Sequence, residues 1–288
     1  MAAVLNSNVA SLWASKNLQG AQSKMADSVE RLSSGLRINR AKDDAAGLAI
    51  GQNMTSQIRG LNQAVRNLND GINMMQTAEG AMVEQSNMLQ RMRELAVQSM
   101  NGTYSNTQRG YLDKEFQALT SQIGRIASDT KWNDQTLLNK TAGASGTFTY
   151  QAGQSSGQII TVSIGKMTVS GLNLAAVVAS SGVTAVNAVA ISSLTTATNA
   201  LTRISSALET INSQRAVIGA GINRMEYAGD NLTNIASNAT QSRSTIMDTD
   251  YAIATTQLAK TQIIQQAATA MLAQANQQPQ SVMALLKG

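Results

Sequence analysis

The sequence predicts a mainly α fold, a nested antiparallel hairpin of long helices that pack as a coiled-coil bundle, with a small β-containing insert. Three observations predict this fold. Apolar residues recur at alternating spacings of three and four on both sides of the middle of the chain. The single proline, Pro279, leaves the helical stretches unbroken. The segment between the two arms is poor in charge and alternates apolar with polar residues, as strands do.

The first arm begins with a predicted helix over residues 1–40, which carries two apolar stripes. The stripes consist of Leu5, Val9 and Leu12, and of Leu18, Met25, Leu32 and Leu36. Gly35 and residues 39–47 interrupt it. Asp43 and Asp44 lie where a helix would restart, a position that suits the positive end of a helix dipole.

From Ala45 to about Met100 the sequence predicts one long helix that ends at the turn dipeptide Asn101-Gly102. Its seam contains Ile58, Leu61, Val65, Leu68, Ile72, Met75 and Met82. A shorter helix follows, with Leu112, Phe116, Leu119, Ile123 and Ile126 in register. Between residues 141 and 200 the only charge is Lys166, and the alternation around Tyr150 and Val162 predicts a hairpin whose loop is 151–157. We expect the chain to return to helix from about Asn187.

The second arm repeats the helical spacing up to the end of the sequence. Its inner seam contains Ile204, Leu208, Ile211, Ile218, Ile222, Met225 and Leu232. After an interruption at 242–250, a final helix has the seam Ile264, Ala268, Met271, Ala275, Val282, Leu285 and Leu286. We therefore divide the chain into paired terminal helices (1–44 and 243–288), a long-helix core (45–140 and 190–242) and an insert (141–189).

The composition argues against an enzyme. The chain has no Cys and no His, which removes thiolate nucleophiles, the commonest general base and the commonest metal ligand. We expect no cofactor, no metal and no catalytic residue. The net charge of +5 is not gathered into a basic stripe, so we expect no nucleic-acid partner. Residues 1–13 lack the basic start of a cleaved signal peptide, and polar residues break the least polar stretch, so we expect no membrane insertion.

Two constellations have a chemical and a structural interpretation. Asp43-Asp44 and Asp248 with Asp250 resemble carboxylate sites, but without His or Cys nearby we interpret them as helix starts and ion-pair partners. Gly219-Ala-Gly221 resembles part of a phosphate-binding loop. Because it lies inside a helical seam with no strand before it, we interpret it as a close helix crossing. The apolar stripes near both termini need a cover, which is either the opposite terminus or another copy of the chain.

Three segments resemble bacterial flagellins. They are RLSSGLRINRAKDDAAGLAI (31–50), LQRMRELAVQSMNGTYS (89–105) and the carboxyl-terminal 242–288, with matching parts over about 1–140 and 200–288. The resemblance implies an extracellular structural subunit that polymerises with copies of itself into the flagellar filament. It implies export through the flagellar secretion apparatus without a cleaved signal peptide. The terminal helices would form the inner layer, the long helices a surrounding layer and the insert the outer surface.

The resemblance also implies partners and contact residues. The partners are other flagellin copies, the filament cap, the junction proteins, an export chaperone and an animal Toll-like receptor. The residues implied in polymerisation or chaperone binding are Leu5, Val9, Leu12, Leu32, Leu36, Ile263, Ile264, Met271, Leu272, Val282, Leu285 and Leu286. The receptor patch of the family is matched by Arg91, Leu95 and Glu115. The alternative, purely structural interpretation of Arg91 and Leu95 is a solvent-exposed helix face. A flagellar junction protein and a coiled-coil scaffold are the competing functions.

Overall fold

The computed structural model describes residues 8–180 and 183–287, with side chains described outside 176–188 and 278–288. These residues form five helices: α1 (Val9–Ser34), α2 (Ala45–Ser99), α3 (Asn106–Asp129), α4 (Leu194–Met247) and α5 (Tyr251–Lys287). Three antiparallel strand pairs lie between α3 and α4: β1 (Lys131–Trp132) with β2 (Gln135–Thr136), β3 (Thr147–Gln151) with β4 (Ile159–Ser163), and β5 (Ala175–Ser180) with β6 (Val183–Ala188). The predicted mainly α fold with a small β-containing insert is confirmed.

The chain forms two compact units. The terminal unit contains residues 1–58 and 237–288, and the inner unit contains residues 59–236. α2 and α4 each run without a break from one unit into the other. The three-part division made from the sequence is finer than these two units and stays a prediction.

α1 is shorter than the sequence predicts. Asn8 caps its start, with the side-chain Oδ1 accepting the N–H of Ser11 at 3.0 Å. At its end Gly35 takes a left-handed conformation with φ of 70° and donates its N–H to the Arg31 carbonyl. A residue without a Cβ adopts this conformation without strain, and it ends the helix. The predicted interruption at Gly35 is therefore confirmed, whereas the predicted extension of the helix to residue 40 is wrong. Residues 1–7 lie outside the described part of the chain.

The acidic residues at the two interruptions start helices, as expected for Asp43 and Asp44. The Oδ1 of Asp44 accepts the N–H of Gly47 at 2.8 Å. Backbone N–H groups of Arg40 and Asn39 donate to Asp43, and the Arg40 bond is the main cause that lowers the pKa of the Asp43 carboxyl. Asp250 accepts the backbone N–H groups at the start of α5. Because α4 continues to Met247, the second interruption is only Asp248–Asp250 and not the predicted 242–250.

The core of the inner unit lies between α2, α3 and α4. α2 and α4 run antiparallel there, since Glu79 pairs with Arg215 at 3.4 Å and Ser99 donates to the Ile191 carbonyl at 2.6 Å. The largest buried side chains on the helices are Leu68, Met75, Met82, Leu89, Met92, Leu95, Phe116, Ile123, Ile204, Ile211, Ile218 and Met225. Each contributes roughly 1.5–3 kcal/mol through burial. The inner seams predicted from the spacing are confirmed.

The predicted hairpin is also confirmed, whereas two features of the insert differ from expectation. β3 pairs with β4 so that Phe148 lies opposite Val162, and both are buried. The predicted helix from Asn187 is wrong, because β6 extends to Ala188 and α4 starts only after Ser193, whose hydroxyl accepts the N–H of Thr196. The pairs β1–β2 and β5–β6 were not predicted.

Gly221 lies within α4, where a Cβ would come 2.8 Å from the Val162 side chain of β4. The close approach is therefore between a helix and a strand, and the predicted helix crossing at Gly219-Ala-Gly221 is wrong. A mid-helix position also excludes the phosphate-loop interpretation of this segment.

Candidate assembly surface on the terminal helices

α1 and α5 form an antiparallel pair that joins the two ends of the described chain. At one end the Asn8 side chain donates to the Ala275 carbonyl at 2.7 Å, and the Ser11 hydroxyl donates to Asn276 at 2.8 Å. At the other end the Thr249 N–H donates to the Gly35 carbonyl at 2.9 Å. The predicted pairing of the terminal helices is confirmed.

The seam between α1 and α5 is built mainly from small residues. Along the pair the two backbones approach to Cα–Cα distances of 8 Å or less. Its buried and half-buried positions, spaced three and four apart, are Ser11, Ala14, Leu18, Ala21, Met25, Ser28 and Leu32 on α1, and Ala254, Leu258, Thr261, Gln265, Ala268, Leu272 and Ala275 on α5. The fully buried ones are all Ala, Ser or Thr. Small side chains allow two helices to pack this closely.

Large apolar side chains of both helices are exposed. We call the following set the terminal stripe: Val9, Leu12 and Trp13 of α1, with Ile253, Ile263, Ile264 and Met271 of α5. Leu12 is 75% exposed and Met271 is 65% exposed. The ammonium of Lys16 lies 5.5 Å from the centre of the Trp13 ring, which leaves the ring open to solvent on its other face. So many large exposed apolar residues on one helix pair indicate a surface that another protein covers.

The residues predicted for polymerisation divide into two groups. Val9, Leu12, Ile263, Ile264 and Met271 belong to the terminal stripe. Leu32, Leu36 and Leu272 are half-buried within the terminal unit. Leu5 and the side chains of Val282, Leu285 and Leu286 lie outside the described residues.

The stripe predicted on α5 was expected to need a cover from the opposite terminus or from another copy. Its residues Ala268 and Ala275 lie against α1, whereas Ile264 and Met271 are exposed and α1 does not cover them. The helix has two parallel stripes with the same period, and the predicted stripe contains residues of both. The burial pattern places the stripe of smaller residues against α1. Nothing but side-chain size distinguishes the two stripes in the sequence.

Arg37 is a residue of the terminal unit that sequence reasoning missed. Its backbone N–H donates to the Met247 carbonyl and its guanidinium donates to the Ile246 carbonyl, both at 2.6 Å. A cation at the carboxyl end of a helix is favourable because unpaired carbonyls make that end negative. Leu36 and Asp248 form a β-bridge beside Arg37, so backbone hydrogen bonds link the chain after α1 to the chain after α4. The sequence signal that could have identified Arg37 is its position two residues after Gly35, the glycine that ends α1.

The second set of predicted site residues lies in the inner unit. The Arg91 guanidinium contacts Glu115 of α3 at 2.9 Å and Glu94 of its own helix at 2.9 Å. These bonds, led by the one to Glu115, raise the pKa of Arg91. Leu95 differs from both expectations for it, because α2 turns its side chain into the core, where it is fully buried. Its prediction as a member of an exposed patch or of a solvated face is therefore wrong.

Two absences hold for the described residues alone. Among them, no three Asp, Glu, His or Cys residues cluster closely enough to bind a metal ion. No helix within the described ranges is long and apolar enough to cross a membrane.

The sequence is similar to proteins of one family over nearly its whole length. Residues 5–143 match the model of the bacterial flagellin N-terminal helical region, and residues 201–286 match that of the bacterial flagellin C-terminal helical region. A flagellin of Halalkalibacterium halodurans is 42% identical over 99% of this chain and 100% of its own length. Polar flagellin F of Vibrio parahaemolyticus is 35% identical, again over 99% and 100%. A crystal structure of Bacillus cereus flagellin is 29% identical and covers 60% of this chain and 94% of that one, with a TM-score of 0.48.

Proposed function

Because the chain belongs to the bacterial flagellin family, we propose that the terminal stripe is the surface through which one copy docks onto the next in the filament. The chain is a structural subunit of the extracellular flagellar filament and not an enzyme. The observation that carries the proposal is the placement of side chains on α1 and α5. The fully buried positions of the seam are all Ala, Ser or Thr, and seven large apolar residues of the same two helices are exposed.

Burial of the terminal stripe against another copy is energetically favourable. Each large apolar side chain that becomes buried contributes roughly 1.5–3 kcal/mol, before the entropy of docking is subtracted. Docking through α5 would also desolvate few charges, since Lys260 is the only charged residue between 251 and 286. Copies that dock through two different surfaces build an open helix rather than a closed ring when the rotation does not close.

Trp13 provides a direct test. It is 60% exposed, and the only other tryptophan, Trp132, lies in the inner unit. In the variant Trp132→Phe, elongation of filament seeds should shift the emission of Trp13 to shorter wavelength as its surroundings become apolar. Electron microscopy of the same samples should show long filaments.

Leu12 supplies a matched pair of variants for that test. Leu12→Asp should prevent elongation, because it places a charge in the docked surface, whereas Leu12→Met should elongate normally. Circular dichroism should show unchanged inner-unit helices in both. Filaments of Leu12→Asp, or filament growth without any change in Trp13 emission, would refute the docking surface.

The finer organisation is also part of the proposal. The paired segments 1–44 and 243–288 form the inner layer, the segments 45–140 and 190–242 form a surrounding layer, and residues 141–189 face outward. The helix ends at Ser34 and Met247 support the first division, because the chain is interrupted on both arms near those limits.

A monomer with this exposed stripe needs a temporary cover before assembly. We propose that an export chaperone covers Ile263, Ile264, Met271, Leu272 and the last residues of α5 until the chain leaves the cell without a cleaved signal peptide. The filament cap and the junction proteins then meet the same helices at the two ends of the filament. Removal of residues 281–288 should abolish polymerisation while the inner unit stays folded.

A second proposed property is recognition of the monomer by an animal Toll-like receptor. The half-exposed pair of Arg91 and Glu115 joins α2 to α3 and presents both charges at the surface. In a receptor reporter assay Arg91→Ala should lose signal, while the exposed Arg66→Ala on the same helix should not. Equal signals from both variants would argue against the patch.

A further inference from the structure

We infer that Met271 is a site of reversible oxidation in the free subunit, and that its sulfoxide blocks addition of that subunit to the filament. The inference rests on the proposed role of the terminal stripe. It names an oxidant class, peroxides, and one atom, the Met271 thioether sulfur.

The composition directs oxidation to methionine. The chain has 14 methionines and no cysteine, so the usual thiol target of peroxides is absent from the sequence. Susceptibility of a side chain to oxidation follows its exposure to solvent.

Met271 is exposed in a way that the other described methionine side chains are not. It is 65% exposed. The methionines of the inner core, which are Met74, Met75, Met82, Met92, Met167 and Met225, are each 5% exposed or less. Met25, Met54, Met88, Met100 and Met247 are half-buried. Among the described side chains, peroxide therefore meets Met271 first.

The position of Met271 makes its oxidation consequential. It lies on the same stripe as Ile264, seven residues earlier, with Ala267 between them. The nearest charge before it along α5 is Lys260. A sulfoxide introduces a strong, fixed dipole into this uncharged apolar surface, and docking would bury its oxygen without a partner.

The chemistry balances with one peroxide per methionine. A lone pair of the thioether sulfur attacks a peroxide oxygen, the O–O bond breaks, an S–O bond forms, and water leaves after proton transfer. The sulfur loses two electrons, and the peroxide is reduced to water. Methionine sulfoxide reductase reverses the change at the expense of thiols.

This arrangement makes oxidation act on the free subunit and spare the filament. Once a copy has docked, its neighbour covers Met271, and peroxide reaches the sulfur slowly. Oxidative stress would then stop growth at the tip without dissolving existing filament.

The experiment compares peroxide-treated full-length wild type with Met271→Leu, which keeps an apolar side chain and cannot be oxidised at this position. Peptide mass spectrometry follows sulfoxide formation at each methionine, including Met1 and Met283, in monomer and in filament. Seeded elongation gives the critical concentration. We expect Met271 of the monomer to oxidise at least about tenfold faster than in the filament, and treatment to raise the critical concentration of wild type about tenfold, as one unpartnered buried oxygen would.

Treated and untreated Met271→Leu should have the same critical concentration as each other, and reductase should restore the treated wild type. Met271→Gln, which carries a polar side chain of similar length, should elongate poorly without any oxidant. The inference is overturned if Met271 oxidises equally in monomer and filament, or if treatment affects wild type and Met271→Leu alike. Untreated wild type that fails to elongate on seeds would instead refute the proposed function, which separates the two failures.

Discussion

In the inner unit the buried helix positions include many Leu, Ile and Met residues beside Ala, whereas the buried positions of the seam between α1 and α5 are all Ala, Ser or Thr, and its Leu and Met residues are only half-buried. The terminal unit also has a set of large apolar residues, the terminal stripe, that its own chain leaves exposed. One spacing therefore supports two kinds of helix pair. The spacing determines that helices pair, and the sizes of the residues determine which face is used within the chain.

The difference has an energetic meaning. A seam of large residues stabilises the isolated subunit, because burial contributes in proportion to apolar area. A seam of small residues contributes less to the subunit and allows the backbones to approach closely, which leaves the larger area for contacts with other copies. On the proposed docking surface, the inner unit stabilises the single subunit and the terminal unit supplies contacts between subunits.

The largest expected effect separates the two regions by stability. Leu95→Ala should lower the free energy of unfolding of the monomer by about 2–5 kcal/mol, because it leaves a cavity in a fully buried site. Urea unfolding followed by circular dichroism measures it. The matched variant Ile264→Ala, on the terminal stripe, should change that value by no more than about 0.5 kcal/mol. Equal losses would mean that the stripe is part of the monomer's own core.

A smaller effect is expected from enlarging the seam of the terminal pair. Ala21→Leu adds volume where α1 packs closely, and we expect overpacking to destabilise the pair by about 1–3 kcal/mol. Hydrogen exchange of the α1 and α5 amides measures this change, while the α4 amides between 200 and 232 should keep their protection. Ala267→Leu on the exposed side of α5 is the control and should leave exchange unchanged. Unchanged exchange in Ala21→Leu would indicate a loose seam.

The smallest expected effect is a pH dependence of stability that arises from the Tyr150 hydroxyl of the inner unit. Burial raises the pKa of the Tyr150 hydroxyl, so the fold favours the neutral form. This contribution to stability is complete below the pKa of the unfolded chain, near 10, and is lost as pH rises above it. Tyr150→Phe should therefore lose less stability than wild type at high pH, by up to about 1 kcal/mol at pH 11 after solvent screening.

Parallel urea titrations at pH 7 and pH 11 measure the difference. At pH 7 the two proteins should differ only by the contact of the hydroxyl with Met74, a long 3.5 Å bond to sulfur. Identical losses of stability between the two pH values would show that Tyr150 ionises in the folded protein as easily as in the unfolded chain.

Much of the fold could be predicted because spacing alone determines long helices. The seams of α2 and α4, the turn at Asn101 and the hairpin around residues 151–157 follow from local periodicity and turn residues. Helix ends were less predictable, since they depend on single caps. Gly35 ends α1 through a left-handed conformation, and β6 delays the start of α4 to Leu194, because Val189, Ile191 and two serines separate the strand from the helix.

The site was predicted less completely for a related reason. Periodicity identifies the apolar stripes of a helix, but it does not say which stripe faces the same chain. For Ile264 and Met271 the sequence left open whether α1 or another copy covers them, and Leu95 was placed at the surface although α2 directs it into the core. The bonds of Arg37 to two carbonyls of α4 join segments about 210 residues apart, which a local pattern does not contain.

The bond from Asn8 to the Ala275 carbonyl spans 267 residues of sequence. During synthesis α1 is among the first segments to leave the ribosome, and its seam partner is among the last. Until α5 has been synthesised, α1 is thus an amphipathic segment without its packing partner. The inner helices meanwhile have neighbours close in sequence with which to fold. The topology therefore imposes an order of events: closure of the terminal pair is a late step, and a nascent chain is open at that end for any factor that acts before it.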